Sequence, residues 1–275
     1  MPVDNGGRYF YIKDGDTVWN PGWKPTQTDL DSYECRHGIG YSRFTGSKNQ
    51  VTASILAFVP MNDNCEINQL KITNHSAETK ELSIFSYVEW CLWNADDDMK
   101  NFQRNLSIGE VEVIGSTIYH KTEYRERRNH YAVYSVNCPV DGFDTSRDEF
   151  LGAYRGADDP IAVAEDKCRN SIASGWSPIA SHQIRITLAP GETKSFVFVL
   201  GYVENPEDDK WEKPGVINKK PANALLAKYQ TDADVDKAFD ELCSYWDALL
   251  SKYHVVSENN KVNRMVNIWN QYQCM

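Results

Sequence analysis

From Arg8 to Val203 the apolar residues recur mostly at every second position, and Gly, Pro, Asn and Asp cluster between the runs. That is the pattern of half-buried strands joined by turns. RYFYI (8–12) reads as a strand entering a turn at Gly15. Tyr33 to Arg43 alternates loosely, Val51 to Pro60 reads as a buried strand, and Cys65 to Asn74 as another. The polar turn Asn74-His75-Ser76-Ala77-Glu78 leads into Lys80 to Trp90 and predicts a long hairpin. Ile108–Ile114 and Thr117–Thr122 pair around Gly115-Ser116, and Tyr131–Val136 adds a strand. Residues 139–181 carry little periodicity and predict long loops with one or two short strands. Ser181–Leu188 and Thr193–Val203 predict a second hairpin over Ala189-Pro190-Gly191, with Ile184, Ile186 and Leu188 on one face.

At Asn205 the character changes. A charged connector with prolines runs to Pro221, and then the period becomes helical. Thr231 or Asp232 caps a helix whose face carries Val235, Phe239, Leu242, Trp246, Leu249 and Tyr253. A second amphipathic segment begins near Asn259 with Val262, Met265, Val266 and Trp269, and stops in mid-pattern at Met275. The fold class expected is mainly β: a large antiparallel β-sandwich over residues 1–203, followed by an α-helical linker over 204–275 with two helices, the second truncated.

The net charge of −10, from 29 basic and 39 acidic residues, argues against a nucleic-acid or anionic-membrane partner. Seven cysteines form no CxxC pair and lie far apart, which favours reduced thiols in a cytoplasmic protein over a disulfide framework or a zinc site. No secretory signal opens the chain, and its longest apolar run, Phe196 to Leu200, is too short to span a bilayer. The sequons at Asn74 and Asn105 read as chance matches.

Candidate chemistry concentrates in Phe85–Glu112, FSYVEWCLWNADDDMKNFQRNLSIGEVE. Trp90, Trp93, Asn94, Gln103 and Arg104 combine indole rings with planar amide and guanidinium groups. A sugar offers those an apolar face to stack and hydroxyls to pair. From composition alone, Trp90 and Trp93 read first as core residues on or just past a strand. Asp96, Asp97 and Asp98 lack the calcium-loop spacing, and consecutive carboxylates point apart, so no metal is expected there. Trp19 and Trp23 flank a Pro/Gly-rich loop and serve either display or packing. The basic run Tyr124–His130 is either a self-paired surface segment or a grip on a carboxylate or phosphate. His37, alone between Arg36 and Gly38, reads first as a structural hydrogen-bonder.

Beyond these local readings, GGRYFYIKDGDTVW, DSYECRHGIGYSR, EWCLWNADDD, NFQRNLSIGEVEV, YHKTEYRERRNHYAV and RMVNIWNQYQCM resemble the N-terminal part of the cellobiose phosphorylases, inverting glycoside phosphorylases of glycoside hydrolase family 94. The resemblance runs through nearly the whole chain. It implies a galactose-mutarotase-like supersandwich lacking its first strands, a helical linker, and an (α/α)6 barrel beyond Met275. It also implies the reaction, in which cellobiose and inorganic phosphate give α-glucose 1-phosphate and glucose. The general acid belongs to the barrel, so the resemblance implies no catalytic residue here, no turnover by this chain alone, and no cofactor besides phosphate as co-substrate. It places Gln103 and Arg104, with Trp93 and Asn94 beside them, against the glucose of the acceptor subsite. Relatives form homodimers, which implies the same for the full-length protein. The rival expectation is a non-catalytic carbohydrate-binding or dimerisation module whose surface is Trp19, Trp23, Trp90 and Trp93. Within the enzymes, cellodextrin, laminaribiose and chitobiose phosphorylases are the near alternatives.

Overall fold

The computed structural model of the protein describes residues 7–90, 109–122, 129–173 and 178–273. Its strands are β1 (Arg8–Asp14), β2 (Thr17–Trp19), β3 (Ser32–Gly38), β4 (Tyr41–Lys48), β5 (Val51–Phe58), β6 (Cys65–Asn74), β7 (Lys80–Glu89), β8 (Gly109–Ile114), β9 (Thr117–Thr122), β10 (His130–Val136), β11 (Gly142–Ser146), β12 (Pro178–Leu188) and β13 (Thr193–Glu204). They form two antiparallel sheets, one in the order β11-β12-β7-β1-β2 and one in the order β3-β4-β5-β6-β13-β10-β9-β8.

Alternation decides which face each side chain enters. On β13, Phe196 and Phe198 point between the sheets while Val197, Val199 and Val203 point outward. On β7, Leu82, Ile84 and Val88 face inward while Phe85 and Tyr87 face outward. Both outer faces are covered, so strands such as β10 are buried at every residue. Two short helices, α1 (Arg147–Leu151) and α2 (Ile161–Ala164), close the outer face of the five-stranded sheet through Phe150, Leu151 and Val163. Helices α3 (Lys220–Leu226) and α4 (Asp232–Leu250) close the eight-stranded sheet through Leu225, Leu226, Val235 and Leu242. At α4, Thr231 accepts from the Asp234 amide while the Asp234 carboxylate accepts from the Thr231 amide, a reciprocal cap.

Both long hairpins expected from the sequence are corrected. β6 and β7 lie in different sheets, as do β12 and β13. The two links are corners between the layers, and Asn74 joins them. Its buried amide donates to the carbonyls of Glu78 (2.8 Å), Leu188 (3.0 Å) and Ala189 (3.2 Å), while its Oδ1 accepts from the Ser76 amide (2.9 Å). The side chain of this sequon asparagine is consumed inside the fold. Within residues 139–181, α1 and α2 appear where loops and short strands were expected.

The connector is more ordered than a charged linker suggests. β14 (Trp211–Lys213) and β15 (Val216–Ile217) make a small hairpin that sits over β8 and β9. Farther on, Asn259 caps α5 (Asn260–Arg264), which continues through a π-helical turn (Met265–Trp269) into α6 (Asn270–Gln273). Among the described residues, no helix is long and apolar enough to cross a membrane.

Candidate functional site

One end of the sandwich gathers the strand ends that flank the stretches the sequence marks as chemical. The registers Arg8↔Val88, Glu89↔Ile179, Gly109↔Thr122, His130↔Glu204 and Cys65↔Gly201 put the start of β1, β6, β8, β10 and β12 there, with the finish of β7, β9 and β13. The strand ends that flank residues 91–108, 123–128 and 174–177 therefore all lie at this end. Trp93, Asn94, Gln103 and Arg104 lie outside the described residues, as do Asp96, Asp97, Asp98 and the basic run from Tyr124 to Arg128.

A cleft of about 710 Å³ opens at this end, lined among others by Arg8, Asp63, Asn64, Glu89, Trp90 and Tyr202. That volume is in the range of small-molecule sites. Trp90 follows directly on β7 and stacks against His120 of β9, with ring centroids 5.3 Å apart and planes 18° from parallel. One side of Trp90 packs on the inter-sheet core, and its Nε1 is buried with no hydrogen-bond acceptor among the described residues. Burial, then the nearby His130, push the His120 imidazole down to about 3, so it stays neutral under the indole.

The charged groups of the cleft are paired. Glu89 accepts from Tyr87 Oη at 2.5 Å and from Arg147 Nε at 3.0 Å. Arg8 pairs with Glu66 across the two sheets. Asp63 accepts from Lys228 Nζ and from Tyr229 Oη, each at 2.6 Å. Burial pushes the Asp63 carboxyl up, but these hydrogen bonds outweigh it and hold the group below its ordinary value. Asp63 held in this way makes a poor proton donor, and the pairings together make a rigid wall. The cleft thus offers shape, an indole edge and amide and hydroxyl groups. Among the described residues, no group of three or more His, Cys, Asp or Glu could hold a metal ion.

The remaining sequence candidates separate. Trp19 is completely buried between the sheets, which corrects its place on a binding surface: a side chain with no exposed area cannot meet a ligand. Trp23 stays 40% exposed on the loop beyond β2. His37 bonds Ser42 Oγ at 2.8 Å and Cys35 Sγ at 3.1 Å, as a local organiser of β3 and β4. Asp63, Tyr202 and Arg147 went unnoticed in the sequence because each is a single polar residue, in a loop, near a strand end or at the start of a short helix. Only the register brings Asp63 and Tyr202 to the cleft and Arg147 onto Glu89.

A two-sheet β-supersandwich with helices on both outer faces, and a cleft at one end, defines the class. The sequence model of the "Glycosyl hydrolase 94, supersandwich domain" matches residues 1–232, and the chain belongs to that family. The chain is 31% identical to an N,N'-diacetylchitobiose phosphorylase of Vibrio furnissii over 98% of its own length and 32% of the relative's. It is 28% identical to a solabiose phosphorylase of Paenibacillus borealis over 98% of its length and 34% of that protein's. The chain thus spans about a third of the length of these two relatives. Among solved structures, a bacterial glucoamylase complexed with acarbose shares the fold, with a TM-score of 0.55, 13% identity, and coverage of 87% of this chain and 31% of that one.

Proposed function

We propose that this chain is the sandwich and helical linker of an inverting disaccharide phosphorylase, with residues 1–203 as the sandwich and 204–275 as the linker toward a catalytic barrel. The observation that carries this reading is the supersandwich match over residues 1–232, together with relatives named as disaccharide phosphorylases that align along 98% of the chain. The substrate proposed is cellobiose, on the resemblance to cellobiose phosphorylases of the stretches from GGRYFYIKDGDTVW to RMVNIWNQYQCM. In the reaction, a phosphate oxygen attacks the anomeric carbon as the glycosidic C–O bond breaks. The leaving glucose oxygen takes a proton from an acid on the barrel, and the products are α-glucose 1-phosphate and glucose.

In this reading the present chain holds the acceptor sugar. Gln103 and Arg104 bond hydroxyls of the departing glucose, with Trp93 and Asn94 as their neighbours in that role. Holding the leaving group in line is itself a contribution to rate. The whole protein works as a homodimer in the cytoplasm. A second reading, N,N'-diacetylchitobiose as substrate, is favoured by the 31% identity to the Vibrio furnissii enzyme. Arg104→Ala in the whole protein tests the site: it weakens glucose use in the synthetic direction at least tenfold while phosphate binding stays near normal. Equal loss on both sides removes Arg104 from the acceptor subsite. Comparing glucose with N-acetylglucosamine as acceptor separates the two substrate readings.

A further inference from the structure

A second cavity, of about 510 Å³, opens on the outer face of the five-stranded sheet. Lys13 and Arg185 are both in register with Ser83, so the three stand in one row across β1, β7 and β12. Ile12, Ile84 and Ile186 point into the core, so by alternation the three polar side chains point outward, where they line the cavity. The next row carries Glu81 on β7 with Thr187 opposite it on β12. Arg8, at the start of β1, belongs to the cleft described above, and Lys13 lies about 16 Å farther along the same strand.

The polar groups of this cavity do not exhaust one another. Ser83 is only 7% exposed, yet its hydroxyl has no hydrogen-bond partner among the described residues. The Lys13 ammonium donates to the Ala164 carbonyl at 2.8 Å and has no carboxylate within ion-pair distance among those residues. Arg185 gives Nη2 to the Asp166 carbonyl at 2.6 Å and Nε to the Asp166 carboxylate at 3.4 Å, which leaves its Nη1 unengaged. Glu81, in turn, has no cation paired with it among the described residues. A buried hydroxyl without a partner is costly unless a ligand meets it. Between two cations the fitting ligand group is an oxyanion, which accepts from the Ser83 hydroxyl, the ammonium and the guanidinium together. Glu81 stands about 7 Å on along β7, too far to face the same group, and its carboxylate accepts from hydroxyls. The two rows therefore suit a compact molecule with an anion at one end and hydroxyls at the other.

We propose that this cavity binds a monosaccharide carrying one oxyanionic group, phosphate or carboxylate, with the anion between Lys13 and Arg185 over Ser83 and sugar hydroxyls donating to Glu81. Calorimetric titration of the 275-residue chain with glucose 1-phosphate and with glucuronate tests it and separates the two anions, and glucose is the neutral comparison. At least one of the charged sugars binds, about tenfold or more tighter than glucose, and inorganic phosphate binds more weakly than the charged sugar. Lys13→Met weakens that binding about tenfold or more, whereas Lys13→Arg keeps the charge and retains it. Glu81→Gln weakens the charged sugar and spares inorganic phosphate, because it removes the hydroxyl acceptor and leaves the grip on the anion. None of these outcomes depends on the reaction proposed above. Absence of binding by both charged sugars overturns the proposal, as does binding that glucose matches or that Lys13→Met leaves unchanged. A Lys13→Arg chain that binds no better than Lys13→Met also overturns it, as does a Glu81→Gln chain that keeps the parent's ratio of charged sugar to phosphate affinity.

Discussion

The Lys219 ammonium lies 2.5 Å from the Glu112 carboxylate, with the lysine side chain only 4% exposed. Glu112 also accepts from Lys121 Nζ (3.2 Å) and from the Ile217 amide (3.0 Å), while Lys121 reaches Glu110 at 2.7 Å and lies over the Trp211 ring. Two buried cations around one carboxylate fasten the connector to the edge of the sheet. The helices that follow are thereby held in register with the sandwich.

Replacing Lys219 removes a buried charge-assisted hydrogen bond, while Lys121 and the Ile217 amide still bond Glu112. Lys219→Met is expected to destabilise the fold by about 1.5–3 kcal/mol, whereas Lys219→Met with Glu112→Leu costs more, because buried Lys121 is then left with the exposed Glu110 as its carboxylate. Urea denaturation of the two variants beside the parent measures both numbers.

At the opposite end of the sandwich, Asn74→Ala removes the two N–H donors that three carbonyls share, and the Leu188 carbonyl sits in a buried corner. With about 1–3 kcal/mol for each buried group left unsatisfied, the expected loss is about 3 kcal/mol. Thermal melts check it. His75→Ala in the same turn, exposed and outside this network, serves as the neutral comparison.

Acid sensitivity follows from two buried imidazoles. Burial, with the nearby His130 adding to it at His120, lowers His120 and His182 to about 3 each, while the unfolded chain protonates near 6.5. Above pH 6.5 both states are neutral there and nothing changes. Between about 6.5 and 3 the unfolded state binds the extra protons, so stability falls as pH drops, by up to about 1.4 kcal/mol per pH unit for each histidine. Glu112 joins at the low end. Burial raises it, but its bonds from Lys219, Ile217 and Lys121 prevail and lower it, so its contribution is present above its unfolded value and lost as pH falls through the folded one. Denaturation midpoints for the parent and His182→Gln, taken from pH 7.5 to 4, give the slope: the variant is less steep by about one proton.

Much of the architecture was legible because alternation is a local signal. Cys65–Asn74 has the same bounds in sequence and structure, Ile184, Ile186 and Leu188 do enter one core, and Gly115 turns β8 into β9. Which sheet a strand joins was not legible. Polar turns at Asn74–Glu78 and Ala189–Gly191 suit a hairpin and a corner equally, and only the Asn74 network distinguishes them. The helices Arg147–Leu151 and Ile161–Ala164 are too short to show a 3.6-residue period. Trp19 read as either display or packing beside its Pro/Gly-rich loop, and its register opposite Ile12 turns it into the core. The cleft was half legible: Trp90 stands out by type, whereas Asp63, Tyr202 and Arg147 gain meaning only from where they meet.

The most direct test of the account is release of sugar 1-phosphate from a β-linked disaccharide and inorganic phosphate, followed for the 275-residue chain and for the whole protein side by side. The account predicts none from the chain alone and α-glucose 1-phosphate, with inversion, from the whole protein supplied with cellobiose. Turnover by the isolated chain would contradict it, as would a whole protein that leaves both cellobiose and N,N'-diacetylchitobiose intact in the presence of phosphate.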